Sequence, residues 1–425
     1  MISPKDVIDS PRIRGIPTSA AADAGQAPSF GRVVVLCSLI GFLDGFDTQS
    51  VGPAASAIAA ELGLRISALG PVFSASQAGF LAGALSFGPL GDRFGRKRAL
   101  LVAIALFALC TLGTALVHSY EALLACRVLV GLGLGGATPN FVSLASEFSP
   151  PKLRNRVVTM MWAAVPLGGM TASFAGAAIL PTLGWKALFV IGCVAPLLLL
   201  PILHIFLPES HETAQARGAT IREPAARTVA ALFTQQRAVT TVVLWLISFM
   251  TWMTLVGVAF WTPSLLQQVG LSASAAATVL AMNNAGGVIG TILIGACLGK
   301  WAVHRVLLLA YLAAASFIAL MGAAGIAFPL LLTVGALAGF FSSAVGGGII
   351  AVSANLYPAN VRASAVGWAL GFGRLGSIVG PLGTGLLVAR GWSVADIYLI
   401  TALPALLSAG LMLRLARSAG AAQHA

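Results

Sequence analysis

Long apolar runs, separated by short polar breaks that carry glycine and proline, set the rhythm of this chain. A helix that crosses a bilayer needs about 20 mostly apolar residues. Twelve runs reach that length, near 32–57, 67–89, 99–117, 121–147, 156–180, 187–207, 238–262, 274–298, 306–324, 327–356, 362–388 and 394–415. Transmembrane strands are about ten residues long and alternate in polarity, so runs of this length predict helices. The longest polar interruption between runs is 208–237. The pattern therefore predicts an all-α membrane protein with twelve transmembrane helices in two six-helix halves. A disordered tail covers 1–31, the first half 32–207, a linker 208–237, the second half 238–415 and a short tail 416–425. Residues 1–31 lack the apolar core of a signal peptide.

Composition agrees with the pattern. Only 9% of residues are charged, against about 25% in soluble domains. The net charge of +12 raises the possibility of nucleic acid, but the distribution of that charge assigns it to a membrane face. With both termini cytoplasmic, twenty of the 25 basic residues fall in cytoplasmic segments, and only Arg65, Lys186 and Arg390 fall in outer loops. That asymmetry is the positive-inside pattern of an inner (plasma) membrane protein. The remaining two, Arg127 and Arg374, lie inside predicted helices. The five cysteines are scattered through apolar runs and the histidines show no metal-ligand spacing, so neither metal nor cofactor is expected.

A weak internal repeat supports the two halves. Gly88-Pro-Leu-Gly-Asp92-Arg93-Phe-Gly95-Arg96-Lys97-Arg98, between the second and third spans, has an echo in Gly295-Ala-Cys-Leu-Gly299-Lys300, 207 residues on. Arg156 precedes Trp162 as Arg362 precedes Trp368, with an offset of 206. Parallel six-span repeats belong to transporters whose solute site lies between the halves at mid-membrane.

The Gly88–Arg98 segment resembles the signature loop of the major facilitator superfamily, and Arg127-Val-Leu-Val-Gly131-Leu-Gly133 resembles its fourth-span motif. Leu43-Asp44-Gly45-Phe46-Asp47 is similar to the first span of the aromatic acid:proton symporter family, and Leu207-Pro208-Glu209-Ser210 fits the exit from span six. The resemblance implies the major facilitator fold, alternating access and a role for Arg127 in proton coupling beside Asp47. It also implies that the signature loop, with Gly88, Asp92, Arg93, Gly95 and Arg96, acts as a conformational latch. The echo has Gly299 where the loop has Asp92, so the second latch is degenerate.

Ionisable groups inside a bilayer are costly, at about 2.5–3.5 kcal/mol each on insertion scales. Asp44 and Asp47 are three residues apart in span one and share a helical face. They read as a proton-coupling pair, with a structural pair as the alternative. At 1.5 Å per residue, Arg374 lies about 18 Å into span eleven, at the depth of Asp44. Its planar fork suits a substrate carboxylate, with a charge partner to an aspartate as the alternative. The 206–207 offsets give Thr251 and Thr254 for the aspartates and Gly168 for Arg374, so all three are unique to one half. Arg127 near the outer end of span four has snorkelling as its alternative. Glu147 is expected to pair with the Lys152–Arg156 cluster. Phe46 and Trp252, and less so Trp261, are candidate contacts for a ring. Gly131-Leu-Gly133-Leu-Gly135-Gly136 lies mid-helix, where helix packing explains it better than nucleotide binding.

One deep arginine with two carboxylates suits an anion carried with protons. The expected protein is not an enzyme but a monomeric, proton-coupled importer. The resemblance makes its cargo an aromatic carboxylate of the hydroxybenzoate or phenylpropionate type. A symporter of nicotinate or a non-aromatic acid, and a drug exporter, are the alternatives. Against export, span five reads Val165-Pro166-Leu167-Gly168-Gly169, without the Gly-Pro order common in antiporters. A sensor would need a soluble output domain, which neither the tail nor the linker supplies.

Overall fold

The computed structural model describes residues 30–150, 153–210, 232–234, 237–297, 302–323, 325, 327–357 and 359–423. The tail expected over 1–31 and the linker over 208–237 lie largely outside these residues, as does Gly299-Lys300 of the degenerate latch. Among the described residues the regular structure is helical: α1 Phe30–Glu61, α2 Leu69–Phe94, α3 Arg96–Ala115, α4 Tyr120–Glu147, α5 Arg154–Phe206, α6 Ala238–Gln268, α7 Ala273–Cys297, α8 Val303–Met321, α9 Phe328–Leu356, α10 Ala359–Ala389 and α11 Val394–Gln423. Among the described residues, ten helices are long and apolar enough to cross a membrane. Leu85, Val102, Leu198, Ile205, Leu309 and Leu386 stand exposed on the outside of the bundle. In water such a surface would aggregate; against lipid it is the ordinary solvent-facing side.

The runs expected at 156–180 and 187–207 appear as one 53-residue helix, α5, which leaves helical geometry at a single residue, Gly184, with φ 73°. A side chain is strained at that φ, so the chain bends there without a loop. The arms are tied down at the bend: Trp185 Nε1 donates to Glu61 at 2.7 Å, and Lys186 Nζ pairs with Glu61 at 2.6 Å. Gly391, also at positive φ, follows α10 207 residues later. Gly63 and Gly270 repeat the relation after α1 and α6. Other helix starts carry local caps. Ser119 accepts from the backbone of Ala122 and Ser272 from that of Ala275, each filling a donor that the first turn leaves open.

The same pairings recur along the chain. In the first five helices α1 packs on α5, α2 on α4, and α3 on α4 and α5; in the last six α6 packs on α10, α7 on α9, and α8 on α9 and α11. Glycines allow this close approach. A Cβ at Gly79 would run into the carbonyl oxygen of Val128, and at Gly286 into that of Ala336. Gly83 meets Leu132 as Gly290 meets Phe340, and Gly131 meets Ser76 as Gly339 meets Asn283. The offset is 207 on α2 and 208 on α4. On α5 and α10, Gly168 meets Phe42 as Gly376 meets Phe249. This corrects one sequence reading: packing makes Pro166, not Gly168, the counterpart of Arg374.

The two groups of helices touch through α1–α6, α2–α10 and α5–α7. Phe73 of α2 lies on Phe260 and Trp261 of α6, with ring centroids 5.1 and 5.3 Å away. Ser74 Oγ donates to Ile378 O at 2.7 Å, and Trp261 Nε1 donates to Pro381 O at 3.0 Å. These contacts lie on the side of Arg374 nearer the α1–α2 turn. Trp261, a candidate ring contact from sequence, is thus fully buried at this seam.

Candidate functional site

The two first-span aspartates have different surroundings. Asp47 is enclosed among α1, α2, α3 and α4. Its Oδ2 accepts from Arg127 Nη2 at 3.0 Å and its Oδ1 from Thr111 Oγ1 at 2.8 Å. Arg127 Nε donates to Ser76 Oγ at 2.9 Å, and its guanidinium carbon lies 5.8 Å from the Phe189 ring centroid. Arg127 is 1% exposed, so it turns inward to Asp47 and does not snorkel. Among the described residues Asp44, one turn away, makes one side-chain hydrogen bond, from Thr48 Oγ1 at 3.3 Å. It forms no ion pair among the described residues; the cation whose field acts on it is Arg374 of α10.

Arg374 itself is held by rings. Its guanidinium carbon is 3.8 Å from the centroid of Phe80 on α2 and 4.8 Å from that of Trp252 on α6. Guanidinium over aromatic faces is favourable, more so when desolvated. Among the described residues Arg374 makes no hydrogen bond or ion pair, so its N–H donors are not committed there. Trp252 reaches this place because α10 yields: a Cβ on Gly373 would collide with its indole. The equivalent pair in the first helices is Gly45 against Val165, with the small residue on the other helix.

Of the residues singled out in the sequence, the structure brings Asp47 to Arg127 and Trp252 to Arg374, with Asp44 in the field of that same arginine. Their neighbours Phe80, Ser76 and Thr111 were not singled out in the sequence. One phenylalanine among 21 and hydroxyls in apolar helices carry no pattern that singles them out. Phe46 is not brought to Arg374; it packs on Ala172 and Leu188, with its ring edge near Gly192.

The signature loop forms a second cluster at the opposite end from the α1–α2 turn. Arg96 pairs with Asp92 at 3.5 Å and with Glu147 at 3.3 Å, and Ser210 Oγ donates to Glu147 at 2.7 Å. The partners expected for Glu147 at 152–156 carry no described side chains. Glu209 accepts from the backbone of Lys97 at 3.0 Å, a carboxylate at the start of α3 where the helix dipole favours one. Gly95 has φ 112°, and a Cβ there would lie 2.9 Å from the Glu209 carboxylate. Lys97 Nζ donates to His204 O at 2.7 Å. Arg93 lies over Phe94, and Gly88 faces open space, so neither joins the cluster. Gly91, unremarked in the sequence, is required by Asn140, whose side chain fills the place of a Cβ there.

The chain resembles known proteins over most of its length. The family model for the Major Facilitator Superfamily matches residues 37–327. The 4-hydroxybenzoate transporter PcaK of Pseudomonas aeruginosa is 34% identical, with 91% of this chain and 92% of that protein covered. The 3-(3-hydroxy-phenyl)propionate transporter of Escherichia coli is 36% identical, covering 88% of this chain and 91% of that protein. The crystal structure of a D-xylose-proton symporter has the same fold, with a TM-score of 0.75 at 19% identity over 90% of this chain and 97% of that one. The chain belongs to the Major Facilitator Superfamily, and the relatives it stands among there are transporters, not enzymes.

Proposed function

We propose that this protein is a proton-coupled importer of small aromatic carboxylates that works by alternating access. The observation that carries the reading is Arg374, which lies against the rings of Phe80 and Trp252 and makes no hydrogen bond or ion pair among the described residues. A carboxylate fits a guanidinium as a bidentate partner, and the flanking rings offer apolar faces to an aromatic substrate. Relatives named for 4-hydroxybenzoate, gallate and 3-(3-hydroxyphenyl)propionate support the class.

Asp44 supplies the coupling. When ionised it competes with the substrate carboxylate for the field of Arg374; when protonated it releases that field. Proton and anion therefore each favour the other's binding, as linkage requires. Asp47 and Arg127 brace the helix that carries Asp44. The recurring pairings and glycine contacts support twelve spans in two six-helix halves, with α5 contributing two spans across Gly184. With both termini cytoplasmic in a bacterial inner membrane, the seam beside the α1–α2 turn is the outer gate, closed here. The Asp92–Arg96–Glu147 cluster is the cytoplasmic latch within the first half. One chain contains the whole site, so the working unit is a monomer.

The test is uptake of labelled benzoates into proteoliposomes, with and without an inward proton gradient. Accumulation that collapses with the gradient is expected; absence of uptake of any aromatic acid in active vesicles would sink the reading. Asp44→Asn is expected to abolish gradient-driven accumulation yet keep substrate counterflow. Arg374→Lys keeps the charge but loses the fork, and is expected to weaken substrate binding about tenfold or more, measured by competition.

A further inference from the structure

Gln77 is an unexplained polar group beside this site. Its side chain is buried, at 4% exposure, and its Oε1 is enclosed with no hydrogen-bond partner among the described residues. Buried amide oxygens are nearly always satisfied; Gln77 Oε1, like Gln49 Oε1 elsewhere, is an acceptor left open to a donor that a ligand could bring.

Its direction follows from its neighbours on α2. Three residues before it, Ser74 bonds to Ile378 O of α10. Three residues after it, Phe80 stacks on Arg374 of the same helix. On a helix of 3.6 residues per turn, position 77 lies angularly between those two. Phe73, a turn earlier, faces Phe260 and Trp261 of α6. Gln77 therefore points into the crevice between α6 and α10, about 4.5 Å along the axis from Phe80. The opposite side of α2 is already occupied, with Ser76 on Arg127 and with Gly79 and Gly83 on α4.

The repeat makes a control. The equivalent of Gln77, at the 207 offset, is Asn284. Its Nδ2 donates to Leu280 O at 3.1 Å and its Oδ1 accepts from Gln49 Nε2 at 3.3 Å, while the open acceptor on that side belongs to Gln49 Oε1. One amide of the pair is satisfied by the protein, and the one beside the stacked arginine is not.

Resting on the aromatic-carboxylate reading, we propose that Gln77 is a specificity residue whose side-chain carbonyl accepts a hydrogen bond from a ring hydroxyl of the substrate bound at Arg374. A neutral carbonyl at this point favours a hydroxyl donor and repels a second carboxylate. An unsubstituted ring leaves Oε1 unpaired, and a site built to bond a hydroxyl discriminates strongly against the analogue that lacks it.

The test is competition by benzoate, its three monohydroxy isomers and their methoxy analogues against a labelled substrate, in the wild type and in Gln77→Met, which keeps length and removes the acceptor. In the wild type one hydroxy isomer is expected to bind at least about tenfold better than benzoate and than its own methoxy analogue. In the variant that preference is expected to shrink toward unity while benzoate binding is retained. A purely packing role would weaken all competitors together. An unchanged hydroxy-to-benzoate ratio in Gln77→Met overturns the proposal while leaving the carboxylate reading intact. A wild type that does not separate these ligands overturns it even if the variant fails to fold. Binding of no benzoate at all removes the carboxylate reading and Gln77 with it.

Discussion

The first five helices and the last six pack through the same backbone contacts but carry different side chains where those contacts meet. Gly131 against Ser76 is matched by Gly339 against Asn283, and Gly79 against Val128 by Gly286 against Ala336. At the positions of Asp44 and Asp47, however, α6 has Thr251 and Thr254. Thr251 shares a hydrogen bond with Tyr311 at 2.6 Å, and Thr254 Oγ1 donates to Thr401 O at 3.4 Å. The offset places Gly335 opposite Arg127. One group thus holds a buried ion pair where the other holds neutral hydroxyls in the same framework. The difference teaches that charge at these positions is not needed for the packing. It is an addition with its own consequences.

The largest expected effect comes from opening that ion pair. Arg127→Leu leaves Asp47 at 1% exposure with an uncompensated charge, a situation that costs about 3–5 kcal/mol. Thermal unfolding of the purified protein is expected to show it as a large fall in Tm. The double variant Arg127→Leu/Asp47→Leu is expected to recover much of the loss, since neutral pairs of similar volume often replace buried ions without penalty. Thr254→Ala, at the equivalent place, is expected to cost under about 1 kcal/mol. Equal losses at the two places would break the comparison.

The shared framework yields the next effect. Gly131→Ala and Gly339→Ala each push a methyl group into a backbone carbonyl of a neighbouring helix. Overpacking of this kind costs about 1–3 kcal/mol, and the two variants are expected to fall together. Gly88→Ala, with nothing within 4 Å, is expected to leave Tm unchanged. A large gap between Gly131→Ala and Gly339→Ala would show that the framework is less symmetric than its contacts.

The framework and the charges were legible in the sequence to different depths. Span lengths follow from hydropathy because the bilayer imposes them, and intramembrane Asp44, Asp47, Arg127 and Arg374 stand out by their cost. The register of the repeat was off on span five. Arg156–Trp162 and Arg362–Trp368 give 206, whereas the glycine contacts of α5 and α10 give 208. A landmark at a helix end drifts with its loop, and a glycine pressed on a carbonyl does not. What stacks on Arg374 was out of reach. Phe80 is one apolar residue in an apolar helix, and only the approach of α2 to α10 gives it a partner. Glu209 is similar, since its place at the start of α3 depends on where α5 ends. Gln77 left a trace, as an amide in the apolar run 67–89, but its meaning required the neighbours that remain silent around it.

The smallest effect lies near the α1–α2 turn, where the first group of helices closes on itself at the α1–α5 corner. Glu61 follows the expected first span and is exposed. Its hydrogen bond from Lys186, then that from Trp185, holds its carboxyl below the ordinary range. A depressed carboxyl stabilises the folded state above the unfolded value, about 4.3 for glutamate, and loses that contribution as pH falls through the folded value. Exposed pairs are weak and screened by salt, so Glu61→Gln is expected to lower Tm only slightly at pH 7. The gap between the variant and the wild type is expected to close below about pH 4. Uptake is expected to be unaffected, because Gly184 still sets the bend without the tether. A marked loss of transport in Glu61→Gln, with Tm preserved, would instead make this corner part of the outer gate, and would tie the gate to the group of helices that already holds the ion pair.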